Sequence, residues 1–275
     1  MHKQEIPKKI WLFWSQGWDA APRVVEDCAR SWERHNPDWE VVRLDAQSMS
    51  AYIDMSAYDD SRIFIQAYAD IARIKLLQTH GGVWADATCF CTKPLNGWLP
   101  TAAATGFFAY RRTHADKDLA IWCMAAYPGN VVIERWAAAV EDFWQRGGLV
   151  SAAMIRLYHK LYHLCVMPYV PRLGQRWLRF AKRVFGVYPY AWPTYLFQEL
   201  YRTDDVFAAG WDAVAVVDAA PALVLWRHDL AESLRPETCV YIDTHTLPVH
   251  KLKHTLPDVI NDGSAYAYLL RYSDT

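Results

Sequence analysis

Two short apolar runs bracket a helical pattern within the first 45 residues, and this restricts the chain to a few folds. "KKIWLFW" (8–14) follows a proline and is apolar and aromatic, as a buried strand is. "PRVVEDCARSWERHNP" (22–37) sets Val24, Val25, Cys28, Ala29 and Trp32 at helical spacing, and Asn36-Pro37 stops it. "WEVVRLD" (39–45) reads as a second strand. One strand, helix, strand unit implies a parallel α/β start.

The pattern continues. Residues 59–82 read as a helix with Ile63, Ala67, Ile71, Ile74 and Leu77 on one side. Asp59, Asp60 or Ser61 is its expected cap, and Gly81 suits the left-handed residue at its end. "VWADATCF" reads as the next strand, with Asp86 in its middle. "GFFAYRR" (106–112) is a further strand, and 130–148 is a helix closed by Gly147-Gly148. "WPTYLFQELYRTDD" looks helical, "AVAVVDA" and "ALVLW" look like short strands, and "THTLPVHKLKHTLP" reads as a loop. No internal repeat or low-complexity linker breaks the 275 residues, so 1–275 is read as one domain.

A carboxylate inside an apolar strand needs a reason. Asp86 is either paired in the core or stands at the open end of the strand and holds something. Thr88, two residues on, points to the same side. Hard cations such as Mg²⁺ and Mn²⁺ take oxygen ligands of this kind, usually with substrate phosphates. Asp70 and Arg73 in "YADIAR" share a helix face just before this strand. Read alone, they make an intrahelical ion pair worth a few tenths of a kcal/mol, roughly.

The segments "IPKKIWLFW", "SWERHNPDWEVVRLD", "ADIARIKLLQTHGGVWADATCF", "WCMAAYPGN" and "PVHKLKH" together resemble the capsular polysaccharide synthesis glycosyltransferases, a family related to glycosyltransferases with a DXD sugar-binding motif. The resemblance runs from about residue 6 to 256 and is weakest over 151–190. It implies a GT-A-like α/β fold, a mostly parallel sheet flanked by helices. It also implies transfer of a sugar from a nucleotide-diphosphate sugar, with uridine the expected base, and retention of configuration. The acceptor would be a saccharide or polyprenyl-diphosphate-linked glycan of bacterial capsule or O-antigen synthesis.

By the same resemblance, Trp14 would stack on the nucleotide base, and Asp70 and Arg73 would hold the ribose or donor sugar. Asp86 matches the first Asp of the DXD motif, and Thr88 stands in place of the second. Asp86, Thr88 and His250 would bind a divalent metal, Mn²⁺ or Mg²⁺, and Lys251 or Lys253 would face the diphosphate. Asp86, Arg73 and Lys251 are thus the expected catalytic set. His245 and His254 read as ordinary loop histidines. Glu199 and Asp204 are candidate bases only through their place in the acceptor-side half. The Thr at 88 admits a rival reading, a non-catalytic nucleotide-sugar binder or scaffold. A metal-dependent phosphohydrolase would want more clustered carboxylates.

Composition excludes other classes. A net charge of -1 gives no whole-molecule pull toward nucleic acid. The N-terminus lacks a signal-peptide core, and the longest uncharged runs are broken by Gly, Pro and Asn. Six scattered cysteines read as reduced and cytoplasmic. One segment stands apart. Residues 151–190 carry Arg156, Lys160, Arg172, Arg176, Arg179, Lys182 and Arg183 without a single Asp or Glu, interleaved with aromatics. They read as a basic aromatic helical insertion. Within it "RWLRFAKRVFG" (176–186) is a basic amphipathic helix suited to the inner face of an anionic membrane, where each basic residue contributes roughly 1 kcal/mol. A solvated lid or a subunit interface is the other reading of the same charges.

Overall fold

Strand β1 (Lys9–Phe13) pairs in parallel with β2 (Glu40–Leu44) on one side and β3 (Gly82–Ala85) on the other. Helix α1 (Arg23–His35) makes the crossover between β1 and β2, which a parallel pair requires. Beyond β3 the sheet continues through β6 (Lys117–Ala126) to β5 (Phe107–His114), each antiparallel to its neighbour. The order is β2-β1-β3-β6-β5, so every strand but β6 runs the same way. A second sheet is a small antiparallel pair, β4 (Cys89–Cys91) with β7 (Val249–Lys251). This computed structural model describes residues 5–114, 117–162, 164, 173–227, 233, 235–236, 239, 247–255 and 261–272. The α/β class, with a mostly parallel sheet flanked by helices, is as expected.

Both faces of the main sheet are covered, which is why its strands read as apolar runs rather than alternations. Trp11 and Phe13 of β1 join one core cluster with α2 (Ile65–His80), α4 (Val131–Gln145) and α7 (Trp192–Thr203). Ile10 and Leu12 join a second cluster with Ala29 and Trp32 of α1. The tryptophans largely serve this core: Trp11, Trp32, Trp84, Trp136, Trp192 and Trp211 are fully buried. Two of their indole N–H groups are spent on backbone carbonyls, Trp11 on Gly81 and Trp32 on Cys89, each at 2.8 Å. A short helix, α3 (Leu99–Ala102), leads into β5.

Several expected elements are corrected. Helix α2 starts at Ile65, not near 59, and no side chain caps it. Asp60 instead accepts the backbone N–H of Arg62 at 2.8 Å and pairs with its guanidinium, so the carboxylate closes a turn. "VWADATCF" is two strands: β3 ends at Ala85, the Cys89 N–H donates to the Asp86 carbonyl at 2.8 Å, and β4 starts at Cys89. Asp86 therefore lies just past a strand end. "AVAVVDA" forms only an isolated bridge from Asp218 to Arg111, and "ALVLW" becomes a Pro221-led turn and helix α9 (Val224–Arg227). "PVHKLKH" contains β7 rather than loop alone. Strand β6, helix α8 (Asp205–Asp212) and helix α10 (Ala265–Tyr272) carried no sequence expectation. Within 151–190, α5 (Ala152–Leu161) and α6 (Leu173–Phe185) are helical.

The Gly81-Gly82 pair makes the site possible. Gly81 (φ 65°) caps α2 through its N–H to Leu77, and Gly82 (φ 93°) opens β3. A β-carbon at 81 would lie 2.5 Å from Pro128 Cδ and 2.8 Å from the Ala126 carbonyl; one at 82 would lie 2.6 Å from the Lys9 carbonyl. The helix can thus drop directly into the sheet between β1 and β6. Gly81→Ala is expected to destabilise the fold by about 2 kcal/mol or more, from left-handed strain plus overlap. A urea midpoint unchanged from wild type would contradict this.

Candidate active site

A cleft of about 630 Å³ opens at the carboxyl ends of β1 and β3. Open α/β sheets place ligand sites there because adjacent strands part to opposite sides. The loop after β1 supplies Trp14, Ser15 and Gln16; the turn after β3 supplies Asp86, Ala87 and Thr88; α2 supplies Gln66, Asp70 and Arg73. The start of β6, β7 and the segment around α9 complete it with Trp122, Lys251, His254 and Trp226, and Tyr190 stands at its edge.

Four ionisable side chains meet at its floor. Arg73 Nη2 lies 3.3 Å from Asp70 Oδ1 and 3.2 Å from Asp86 Oδ1. Lys251 Nζ donates to Asp86 Oδ2 and to Thr88 Oγ1, both at 2.8 Å. The Trp84 indole N–H donates to Asp86 Oδ1 at 3.0 Å. Arg73 also donates to the Ile121 carbonyl at 3.0 Å and lies over the Trp84 ring. Each charge thus has a partner, which buried charges need. Thr88 and Arg73 are buried and Asp86 is partly open to the cleft.

The backbone sets this geometry. Lys251 lies opposite Cys89 in the β4–β7 ladder, and the Leu252 N–H donates to the Thr88 carbonyl at 2.8 Å. The Asp86 N–H donates to the Trp122 carbonyl at 2.8 Å, which ties the turn to β6. Burial would raise the Asp86 carboxyl, but Lys251 and then Arg73 outweigh it and hold it below the usual carboxylate range. Burial would lower the Lys251 ammonium, but Asp86 outweighs it and holds it above the ordinary lysine value. Asp70 differs. Burial pushes its carboxyl up to about 7, with Arg73 opposing the rise and Asp86 adding to it.

The structure brings together most of the residues marked from the sequence. Trp14, Asp70, Arg73, Asp86, Thr88 and Lys251 all line the cleft. The Trp14 ring faces His254, centroids 6.5 Å apart, and its buried indole N–H has no acceptor among the described residues. Lys253 is exposed and does not line the cleft, its ammonium lying 5.7 Å over the Trp226 ring. His250 does not join them. It alternates with Lys251 along β7, is fully buried away from the cleft, and burial lowers its imidazole to about 4. Glu199 pairs with Arg179, and Asp204 caps α8 and pairs with Arg135; neither lines the cleft. His245 lies outside the described residues. His254 is a loop residue as expected, and that loop places it on the cleft wall. Trp226 and Tyr190 were missed, because only the chain's return past α9 and α7 brings them to the site, and no spacing signals that.

These residues do not fit a resident divalent ion. Asp86 and Thr88, the two oxygen donors at the strand end, both accept from the Lys251 ammonium, and His250 is turned away. Among the described residues no group of three His, Cys, Asp or Glu side chains could hold a metal. Cys89 and Cys91 are buried core residues whose thiols burial pushes up to about 12.

The fold and cleft define an α/β protein with an ion-paired, aromatic-walled site at the strand ends. The chain belongs to the capsular polysaccharide synthesis protein family, whose model matches residues 1–165. It is also similar to the O-glycosyltransferase braB of Annulohypoxylon truncatum, 27% identical over 181 residues, 58% of this chain and 42% of that one. The initiation-specific alpha-1,6-mannosyltransferase of Schizosaccharomyces pombe is 25% identical over 170 residues, 50% of this chain and 40% of its own length. The matched stretch therefore spans less than half the length of these two curated relatives. A solved structure, "PaToxG Glycosyltransferase", superposes with a TM-score of 0.42 at 13% identity, covering 76% of this chain and 74% of that one.

The Asp70 carboxyl predicts a pH dependence. The folded chain keeps a proton that the unfolded chain releases near pH 4, roughly. Its stabilising contribution is therefore complete below that point and falls as the pH rises through about 7. Asp70→Asn is expected to flatten the decline of the urea midpoint between pH 4.5 and 7.5. An identical decline in wild type and variant would remove Asp70 as its source.

Proposed function

We propose that this protein is a glycosyltransferase that moves a sugar from a nucleotide-diphosphate sugar, a UDP-sugar, to a saccharide or polyprenyl-diphosphate-linked acceptor in bacterial surface polysaccharide synthesis. The observation that carries this reading is the charged floor of the cleft, with Arg73 and Lys251 held beside Asp86 at the strand ends. When Asp70 holds its proton, the two cations face one carboxylate, and the floor favours a diphosphate. Membership of the capsular polysaccharide synthesis family and the names of the relatives support the same class.

In this reading Trp14 stacks on the base, and Asp70 and Arg73 take the ribose or donor sugar hydroxyls. The bond from the anomeric carbon to the diphosphate breaks, and its electron pair leaves on the phosphate oxygen. The acceptor hydroxyl oxygen forms the new bond on the same face, giving retention, and its proton passes to the departing phosphate oxygen. Such a step needs stabilisation of the leaving group more than a strong protein nucleophile.

The exposed face of α6 supports a place for the reaction. Trp177, Phe180 and Val184 form a stripe with Phe185 beside it, each about half exposed, and Arg176 and Arg183 are exposed on the same helix. Helix α5 adds Met154, Leu157 and Leu161, all exposed. Two of the segment's cations turn inward: Arg179 pairs with Glu199 and Asp142, and Lys182 donates to the Arg146 and Gly147 carbonyls. The remaining apolar and basic side chains suit peripheral binding at the cytoplasmic face of an anionic membrane. No helix among the described residues is long and apolar enough to cross one.

Two measurements test the reading. Purified protein incubated with labelled UDP- and GDP-sugars is expected to release free sugar slowly to water, and Asp86→Ala or Asp86→Asn is expected to abolish this while keeping the far-ultraviolet dichroism. Wild-type release by the folded variants would refute the role of Asp86, and no release by wild type would favour a non-catalytic binder. Separately, Trp177→Ser combined with Phe180→Ser is expected to lose co-sedimentation with phosphatidylglycerol vesicles while sugar release stays unchanged. Retained co-sedimentation would remove α6 from membrane binding.

A further inference from the structure

Between Asp86 and Thr88 sits a cation the chain supplies itself. The Lys251 ammonium is 2.8 Å from Asp86 Oδ2 and 2.8 Å from Thr88 Oγ1, so two of its three N–H donors bridge the two oxygen side chains of the turn after β3. The third has no partner among the described residues, and Lys251 lines the cleft. This placement is enforced by the backbone. Lys251 is set opposite Cys89 by the β4–β7 ladder, and Leu252 is hydrogen-bonded to Thr88 itself. The nearby Arg73 occupies the other oxygen of Asp86 at 3.2 Å.

We propose that the Lys251 ammonium, seated between Asp86 and Thr88, is the cation that receives the diphosphate of the donor, and that nucleoside-diphosphate binding in this cleft is independent of divalent metal. The inference rests on the glycosyl-transfer reading above. Its physical basis is the donor set. A divalent ion at this position needs the carboxylate and hydroxyl oxygens free and further hard ligands around it. Here both oxygens accept from an ammonium, and the neighbouring histidine on β7 faces the core. A threonine suits an ammonium neighbour, because its hydroxyl accepts one hydrogen bond without adding a second negative charge. With Asp86 as the one carboxylate in contact with it, Lys251 keeps charge to offer to a phosphate. As the bond to the anomeric carbon breaks, negative charge grows on the phosphate oxygen that leaves, and the free N–H of Lys251 is donated to it. The interaction strengthens toward the transition state, as leaving-group stabilisation requires.

The test is calorimetric titration of UDP, GDP, ADP and dTDP into chelator-treated full chain, once in EDTA and once in Mn²⁺. One nucleotide is expected to bind with dissociation constants that agree within about twofold in the two buffers, a difference of less than about 0.5 kcal/mol. Lys251→Met is expected to weaken that binding at least about tenfold in EDTA, as the loss of one charge-assisted hydrogen bond would. The same variant frees Asp86 Oδ2 and Thr88 Oγ1, and Mn²⁺ bound there with the diphosphate is expected to restore part of its affinity, which damage to the fold would not allow. Wild-type binding that appears only with Mn²⁺ would overturn the inference and leave the transferase reading standing. Equal, metal-free binding by wild type and Lys251→Met would overturn the role of Lys251 alone. Failure of all four nucleotides in both buffers would overturn the inference together with the reading it rests on.

Discussion

The ion pairs around Asp86 join three parts of the chain, and the floor of the cleft depends on them. Asp86 stands at the end of β3, Arg73 on the preceding helix and Lys251 on a strand 165 residues further on. Taking such charges out of water costs several kcal/mol each, and their mutual attraction offsets this only when every member is paired. The cluster meets that condition: Arg73 divides itself between two carboxylates and a carbonyl, and Lys251 between a carboxylate and a hydroxyl. Removing one member would leave a charge without compensation in a poorly solvated place. The β4–β7 ladder and the turn between β3 and β4 are therefore as much part of the site as the charges are.

Around that cluster the fold supplies rigidity. The glycine pair lets α2 run into β3 with no spacer, so Asp70 and Arg73 stay in register with Asp86. Two core clusters clamp the sheet from both sides, and the buried Trp11 and Trp32 each donate an indole N–H to a backbone carbonyl. The cleft wall is softer in character. Trp14, His254 and Tyr190 come from connections and Trp226 from the short helix α9 rather than from the sheet interior, and they offer rings suited to a base and to sugar rings. A charged floor under aromatic walls suits a ligand with a diphosphate at one end and flat or polyhydroxylated groups at the other.

Local pattern exposed much of this in advance. Strands β1 and β2 and helices α1, α4 and α7 follow from apolar spacing and from their stop signals, because both encode burial directly. Asp86 stood out because a carboxylate in an apolar run needs a partner or a ligand. The misreadings have local causes of their own. Asp59, Asp60 and Ser61 all have the chemistry of a helix cap, yet the helix starts later and the Asp60 carboxylate finds a nearer donor in Arg62. "ALVLW" has the composition of a strand, yet Pro221 ahead of it starts a helical turn. Strand β6 went unmarked because its apolar run is made largely of Ala120, Met124, Ala125 and Ala126, with Ile121 its one β-branched residue, a composition that does not favour a strand.

By itself, then, the sequence determined the α/β class, the parallel start, the helix that carries Asp70 and Arg73, and the isolated carboxylate after Gly81-Gly82. Those features depend on spacing within a few residues, where the backbone geometry is known beforehand. Only the tertiary structure decided what Asp86 faces. Whether Lys251 or His250 points into the cleft depends on the register of β7 against β4, and a shift of one residue would exchange them. That register is set by hydrogen bonds between segments some 160 residues apart, and no local pattern carries it.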